Sequence, residues 1–345
     1  NKNQAGLNYI TSKFITLGQY YVVDTTISFV VEKPADHEND DFSLSQLWNI
    51  NYMALLSDAS LNELKIDIKN KLVDKLFPSD IQNRIKDKDL IISPDGVLNQ
   101  IPFQWLLSEK NIKSIKYIPG FTYFNKNSMK SSASLLAVAV PSPDYIVDHI
   151  QQESITAIYR GQSPTDSLVF AIKEAKELVV KGKKNGIKTN LSINPTETWI
   201  KRNLNKYDMI HFATHSISSN AYGQGNTGVL LIKDGENDGF LSEEEISKLK
   251  LNGQIIFLSS CESAIGEFSQ GEGLLSISRA FLSAGANGVI SSLWKVNDKS
   301  AKDISLSYYE NYFNLNSPED ALYNAQKNYN SNDLWQKYSF IYTSF

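Results

Sequence analysis

Two side chains capable of covalent chemistry close two apolar runs: His215 ends DMIHFATH, and Cys261 ends QIIFLSSC. A thiolate is a stronger nucleophile than a thiol, and an adjacent imidazole can take the thiol proton. The pair therefore holds the minimum for covalent acyl transfer. An unpaired cysteine is more often a small buried hydrophobe, but Glu262, Ser263 and Ala264 follow Cys261 where the chain must turn out of its strand. Alternation along DMIHFATH puts Met209, His211, Ala213 and His215 on one face. His211 lies four residues, roughly 13 Å, further back, so it is expected as a hydrogen-bonded core residue and His215 as the base. A third group, Asp298, follows the run GVISSLWKVN. Its carboxylate suits a cationic partner, arginine above lysine because the planar guanidinium can bond both oxygens. Asp is also a preferred N-cap for the helical DKSAKDISLSYY.

Cys261 is the chain's one cysteine, which excludes an intramolecular disulfide. With only the four histidines His37, His149, His211 and His215 to help it, a thiolate zinc site, which takes about four N or S ligands, is not expected. No metal or cofactor is expected. A phosphate-binding glycine loop would need a pattern such as GxxxxGK[ST] between strand and helix. GQGNTG at 223–228 lacks the lysine and reads as a loop near the site.

For these residues to meet, their strands must end on one edge. From Leu135 onward, short apolar runs alternate with helical ones: LLAVAVP, SLVFAIKEAKELVVKGKKNG, KTNLSI, PTETWIKRNLNK, DMIHFATH, an inserted hairpin region, GQIIFLSSCES, GEGLLSISRAFLSAG, NGVISSLWKV, a helix over 299–313 and YSFIYTSF. Such alternation implies right-handed crossovers and a mainly parallel sheet covered on both faces, with ligands outside the carboxyl ends of the strands. The helix after Cys261 is expected to open at Gly271, Glu272 and Gly273, with Glu272 as a structural cap. Leu274, Ile277, Phe281 and Ala284 form its stripe, and Gly285 ends it. The polar, glycine-bearing segment Ser216 to Gly228 is expected to be flexible and to border the substrate groove.

The first part of the chain differs. Residues 19–32 read as a hairpin turning at Asp24 and Thr25, followed by the polar loop KPADHENDD. Helical spacing over 44–77 breaks around Ser57 and ends at Pro78. A strand then precedes the turn Pro94-Asp95-Gly96, with a short helix after Pro102. SMKSSAS at 128–134 is the expected connection, which gives a lobe of 1–130 and a lobe of 131–345.

Composition narrows the function further. With 34 Lys+Arg against 38 Asp+Glu and a net charge of -4, the chain has no basic field of the kind that tracks phosphates, so nucleic acid is not an expected partner. No run approaches the roughly 20 apolar residues of a membrane span, and Asn1 to Asn8 lack a signal-peptide pattern. A soluble, cytoplasmic protein is expected. The start at Asn1 suggests that upstream sequence is missing.

Taken in order, ISPDGVLNQIPFQWLL, HFATHS, LSSCESA and GEGLLSISRAFLSAGANGVISSLWKVND resemble the CHAT family of proteases. The family pattern runs HFATHG, LSACETA, GEGL with a serine and arginine, AGA, and SLW with a valine and an aspartate. The family is related to caspases and separases. The resemblance implies a caspase-like α/β sandwich after a degenerate, noncatalytic lobe, and a cysteine endopeptidase acting through a dyad at His215 and Cys261. It places the oxyanion hole at the backbone N–H groups of Ser216 and Cys261, and a P1-arginine carboxylate at Asp298. It also implies protein or peptide substrates, with TPR repeats upstream or an activating partner. Ser216 departs from the family's glycine, and a serine restricts positive φ. The alternative is a noncatalytic CHAT-like module that binds a peptide or partner, against which the presence of both dyad residues argues.

Overall fold

β-branched and aromatic residues favour a pleated, half-buried surface, and they crowd the start of the chain. In the computed structural model this region forms β1 (Gln4–Thr11), β2 (Thr16–Val22) and β3 (Thr25–Glu32), an antiparallel meander. The structure describes residues 4–11, 16–22, 25–32, 62–119, 134–142, 168–217, 227–260, 268–269, 273–274, 277–294, 296–315, 317–331 and 333–345. The chain divides into two units, one of 1–124 with 330–338 and the other of 125–329 with 339–345.

In the first unit β1 also runs parallel to β4 (Asp89–Ser93), and β4 parallel to β5 (Ser114–Tyr117). The helical spacing seen before Pro78 becomes α1 (Asn62–Leu76), while 44–61 lie outside the described residues. Pro78 does more than stop α1, because it stands as the N-cap of α2 (Ser79–Ile85). A 3-10 turn over Gly96–Gln100 and α3 (Phe103–Leu106) follow β4. Leu72, Leu76, Phe77, Ile85, Ile92, Leu98 and Phe103 are fully buried, and Phe77 meets Phe103 edge to face at 6.1 Å.

The second unit alternates strand and helix: β6 (Ser134–Ala139), α4 (Ala171–Lys184), β7 (Lys188–Ile193), α5 (Glu197–Asn203), β8 (Met209–Ala213), the small strands β9 (Ser216–Ile217), β10 (Gly228–Leu230) and β11 (Phe240–Ser242), α6 (Glu243–Ser247), β12 (Ile255–Ser259), β13 (Phe268–Ser269), β14 (Gly273–Leu274), α7 (Ile277–Ser283), β15 (Gly288–Ser292), α8 (Asp298–Leu315), α9 (Pro318–Asn328) and β16 (Phe340–Ser344). Its strands lie in the order β16-β15-β12-β8-β6-β7. Only β16 is antiparallel to its neighbour. The central strands are covered on both sides, which explains runs that are continuously apolar rather than alternating. On one side Ile210 and Phe212 join Leu136, Ile256 and, from α7, Ile277 and Phe281. On the other, Met209 and Phe257 join Leu178 of α4 and Ile304, Tyr308 and Tyr309 of α8.

Two expectations need correction. The helix after Cys261 starts at Ile277, not at Gly271, because Gly273 and Leu274 pair antiparallel with Ser269 and Phe268. Glycine costs a helix interior about 1 kcal/mol relative to alanine, so Gly273 opposes a helix at this point. Glu272 lies outside the described residues. Likewise the ends of the expected loop over Ser216 to Gly228 are strands, with Ile217 facing Gly228 in β9 and β10, while 218–226 lie outside the described residues.

Gly285 does end α7, and its chemistry is testable. Its φ is +108°, and a Cβ there would stand 2.5 Å from the Leu251 carbonyl oxygen. Gly285→Ala is expected to lower the unfolding free energy by about 2 kcal/mol or more, since positive φ and the backbone clash both oppose a side chain. A denaturant titration measures this, and an unchanged midpoint would show that the turn relaxes freely.

Candidate active site

β8 stops at Ala213 because the chain turns at Thr214, where two hydrogen bonds from β10 hold it. Thr214 Oγ1 donates to the Leu230 carbonyl at 2.6 Å. The Leu230 N–H donates to the His215 carbonyl at 2.9 Å. The backbone on both sides of the turn is therefore fixed, and the His215 side chain sits 9% exposed at the strand end. Ser216 continues into β9 and pairs with Val229. Among the described residues only Asp87 and Asn194 combine a side chain with a positive φ, so Ser216 fits its position without the strain that a lost glycine would bring.

β12 lies parallel to β8, each residue facing one 46 positions earlier, from Ile255↔Met209 to Ser259↔Ala213. Cys261 also stands 46 positions after His215, and it lies outside the described residues. The residue before it, Ser260, is buried. Its carbonyl accepts a hydrogen bond from Ser292 Oγ at 2.6 Å, which ties the end of β12 to the end of β15.

Asp298 is the first residue of α8 but not its cap. Asn297 takes that role, its Oδ1 accepting from the Ser300 N–H at 2.7 Å. The Asp298 carboxylate turns instead to the head of α4, where Oδ2 accepts from the Phe170 N–H at 2.6 Å. Burial pushes its pKa above the ordinary aspartate value; the Phe170 N–H opposes this, the nearby Glu174 carboxylate adds to it, and Lys302 counters. Lys302 Nζ lies 5.5 Å from the Phe170 ring centroid.

Sequence reasoning missed a buried carboxylate below this edge. Glu174 of α4 is 1% exposed. Its Oε1 accepts from Ser259 Oγ of β12 at 2.9 Å and from Ser305 Oγ of α8. His211 Nε2 of β8 lies 3.0 Å from the same oxygen, off the line of a hydrogen bond, and neither ring nitrogen has a hydrogen-bond partner among the described residues. His211 is thus a core residue, as expected, but it is held by packing between Phe257 and Tyr309 and by proximity to a carboxylate. The missed signal was available: Ala171, Ala175, Leu178 and Gly182 form the buried stripe of α4, and Glu174 falls inside it. A carboxylate at such a position needs partners.

Among the described residues, no cluster of three or more His, Cys, Asp or Glu side chains could hold a metal ion. No helix there is long and apolar enough to cross a membrane.

The sequence profile of the CHAT domain matches residues 59–343. This chain belongs to the CHAT domain family. No curated protein matches it. Among solved structures, the CHAT chain superposes on the Saccharomyces cerevisiae separase–securin complex with a TM-score of 0.56 at 10% identity, over 99% of its own length and 30% of the matched chain. A second structure of that complex gives 0.54 at 11% identity, with the same coverage of each chain. Gingipain R, an Arg-specific cysteine proteinase, gives 0.48 at 10% identity over 90% of this chain and 69% of that one. The CHAT chain thus spans under a third of the separase chains it matches. At such identities the likeness is one of fold: a caspase-like, mainly parallel sheet between helices.

Proposed function

We propose that this CHAT chain is a cysteine endopeptidase that cleaves protein substrates through Cys261 and His215, after a basic P1 residue held by Asp298. The parallel ladder of β8 and β12 carries this reading. Its offset of 46 positions, read through Ser259↔Ala213, is also the separation of Cys261 from His215, so each residue follows the end of its strand by the same two positions, on the same edge of the sheet.

In this mechanism His215 takes the Cys261 proton, and the thiolate attacks the scissile carbonyl. The N–H groups of Ser216 and Cys261 stabilise the oxyanion. The tetrahedral species collapses with His215 giving its proton to the leaving amine, which leaves a thioester. Water, deprotonated by His215, then hydrolyses the thioester and restores the thiol. No metal or cofactor takes part. The lobe of 131–345 carries the chemistry and that of 1–130 supports it. Separase was crystallised in a complex with securin; in this reading the present enzyme too binds a partner, and it answers to that protein or to an upstream region such as TPR repeats, and works in the cytoplasm.

A direct test uses the chain's sole cysteine. Iodoacetamide labelling of Cys261 followed against pH should report an apparent pKa below the free-thiol value of about 8.5, because a neighbouring imidazolium favours the thiolate. Labelling should abolish cleavage of a fluorogenic peptide library. A labelling pKa at or above 8.5, with cleavage surviving full alkylation, would remove the assignment.

A further inference from the structure

Both strands that carry the proposed pair, and the helix that carries Asp298, converge on one oxygen. Glu174 Oε1 receives Ser259, which lies two residues before Cys261 on β12, and Ser305 of α8. It also stands 3.0 Å from His211 Nε2, four residues before His215 on β8. The ring is closed from the other side, because Asp298 at the head of α8 takes the Phe170 N–H at the head of α4. Thus α4, β8, β12 and α8 are joined by polar contacts that are almost all removed from water, with Glu174 1%, His211 0%, Ser305 0% and Ser259 5% exposed.

This arrangement is costly unless it is used. An apolar residue at 174 would continue the stripe of Ala171, Ala175 and Leu178, whereas a buried carboxylate must be solvated by its neighbours. In return a charged acceptor makes shorter, stronger and more directional bonds than apolar contact does. The β8–β12 ladder fixes the backbone register of the two strands. Glu174, bonded to Ser259 and abutting His211, adds a side-chain tie near their carboxyl ends, where the ladder stops.

We propose that Glu174 is a positioning residue for the Cys261–His215 pair, holding the carboxyl ends of β12 and β8 at fixed separation through Ser259 and His211. The inference rests on the reading of that pair as the reacting groups. Glu174 touches neither of them, and acts through the strands that carry them.

The test is a double-mutant cycle on the iodoacetamide alkylation rate of Cys261 at pH 7, the only thiol in the chain. His215→Ala should slow alkylation by removing the imidazole. Ser259→Ala, a small change, should slow it by about tenfold, since displacements of an ångström between reacting groups cost one to two orders of magnitude. Ser259→Ala combined with His215→Ala should add little to His215→Ala alone, because a base already lost cannot be further misplaced. Glu174→Ala should act like Ser259→Ala or more strongly, while Glu174→Gln, whose amide oxygen can still accept from Ser259 and Ser305, should recover to within about threefold of the native rate. A merely structural role predicts neither the non-additivity nor this rescue. If Ser259→Ala alkylates at the native rate, the proposal fails whatever Glu174→Ala does, including failure to fold. If instead His215→Ala itself alkylates at the native rate, the dyad reading fails and takes the positioning role with it. Native behaviour of Ser259→Ala beside a slowed His215→Ala would leave the dyad standing and remove Glu174 alone.

Discussion

Cys261→Ala is expected to abolish peptide cleavage, lowering kcat/KM by at least about 10³-fold, equivalent to roughly 4 kcal/mol of transition-state stabilisation. Alanine keeps the backbone N–H that the oxyanion needs and removes only the sulfur, so what disappears is the covalent route. His215→Ala should cost a comparable factor, and the double variant little more, because nucleophile and base act as a unit. The backbone at His215 is held by the Leu230 N–H and by the Thr214 hydroxyl, both of which survive replacement of the imidazole. Thermal unfolding should therefore stay near that of the native chain in both variants, separating lost chemistry from lost folding. Cleavage of the same peptide at the native rate by Cys261→Ala would end the cysteine-peptidase reading. The CHAT chain would then be a binding module on a caspase-like scaffold.

Much of the sheet was legible because burial on both faces leaves a plain trace. DMIHFA, QIIFLS and GVISS each hold adjacent apolar residues with no strict alternation, as in Ile255 to Leu258, and each became a central strand, β8, β12 and β15. The strand ends that carry His215 and precede Cys261 were legible for the same reason: polar residues resume where the sheet stops. Register was not legible. The pairing of Ser259 with Ala213 depends on how the intervening residues fold, and no local pattern encodes an offset of 46. Local signals also misled at Gly271, Glu272 and Gly273, where an acidic residue between glycines read as a helix opening but Gly273 enters a two-strand bridge. Contacts between distant helices left the least trace. The bond from Phe170 to Asp298 spans 128 positions, and nothing near either residue announces it. Asp298 looked like a cap since it begins α8, yet Asn297, one residue earlier, holds the Ser300 N–H. Glu174 lay in the open as a carboxylate within an apolar stripe, a pattern that marks a buried partner set even before the partners are known.

Asp298→Asn is expected to lower kcat/KM for peptides with arginine at P1 by about tenfold or more, roughly 1.4 kcal/mol, while leaving folding intact. The structure makes this exchange cleaner than it would be at a helix cap. Asn297 caps α8, so the change at 298 leaves the cap in place, and the amide oxygen of the new asparagine can still accept from the Phe170 N–H that now binds Oδ2. What is lost is the charge. Oδ1, with the remaining lone pair of Oδ2, offers two acceptors to the planar guanidinium, so arginine should exceed lysine in the native chain, and that advantage should shrink in the variant. Peptides carrying citrulline, a neutral analogue of arginine, should be nearly indifferent to the exchange. The acid limb gives a second readout. Burial raises the Asp298 pKa above the usual aspartate value, so the carboxylate is ionised above that raised pKa and protonated below it. For the native chain kcat/KM on arginine peptides should therefore fall, as pH drops, through a value higher than the ordinary carboxylate of about 3.9, and Asp298→Asn should lack this limb. Arginine cleavage at the native rate by a folded Asp298→Asn, with the acid limb unchanged, would place the P1 pocket elsewhere and leave Asp298 as a tie between α8 and the head of α4.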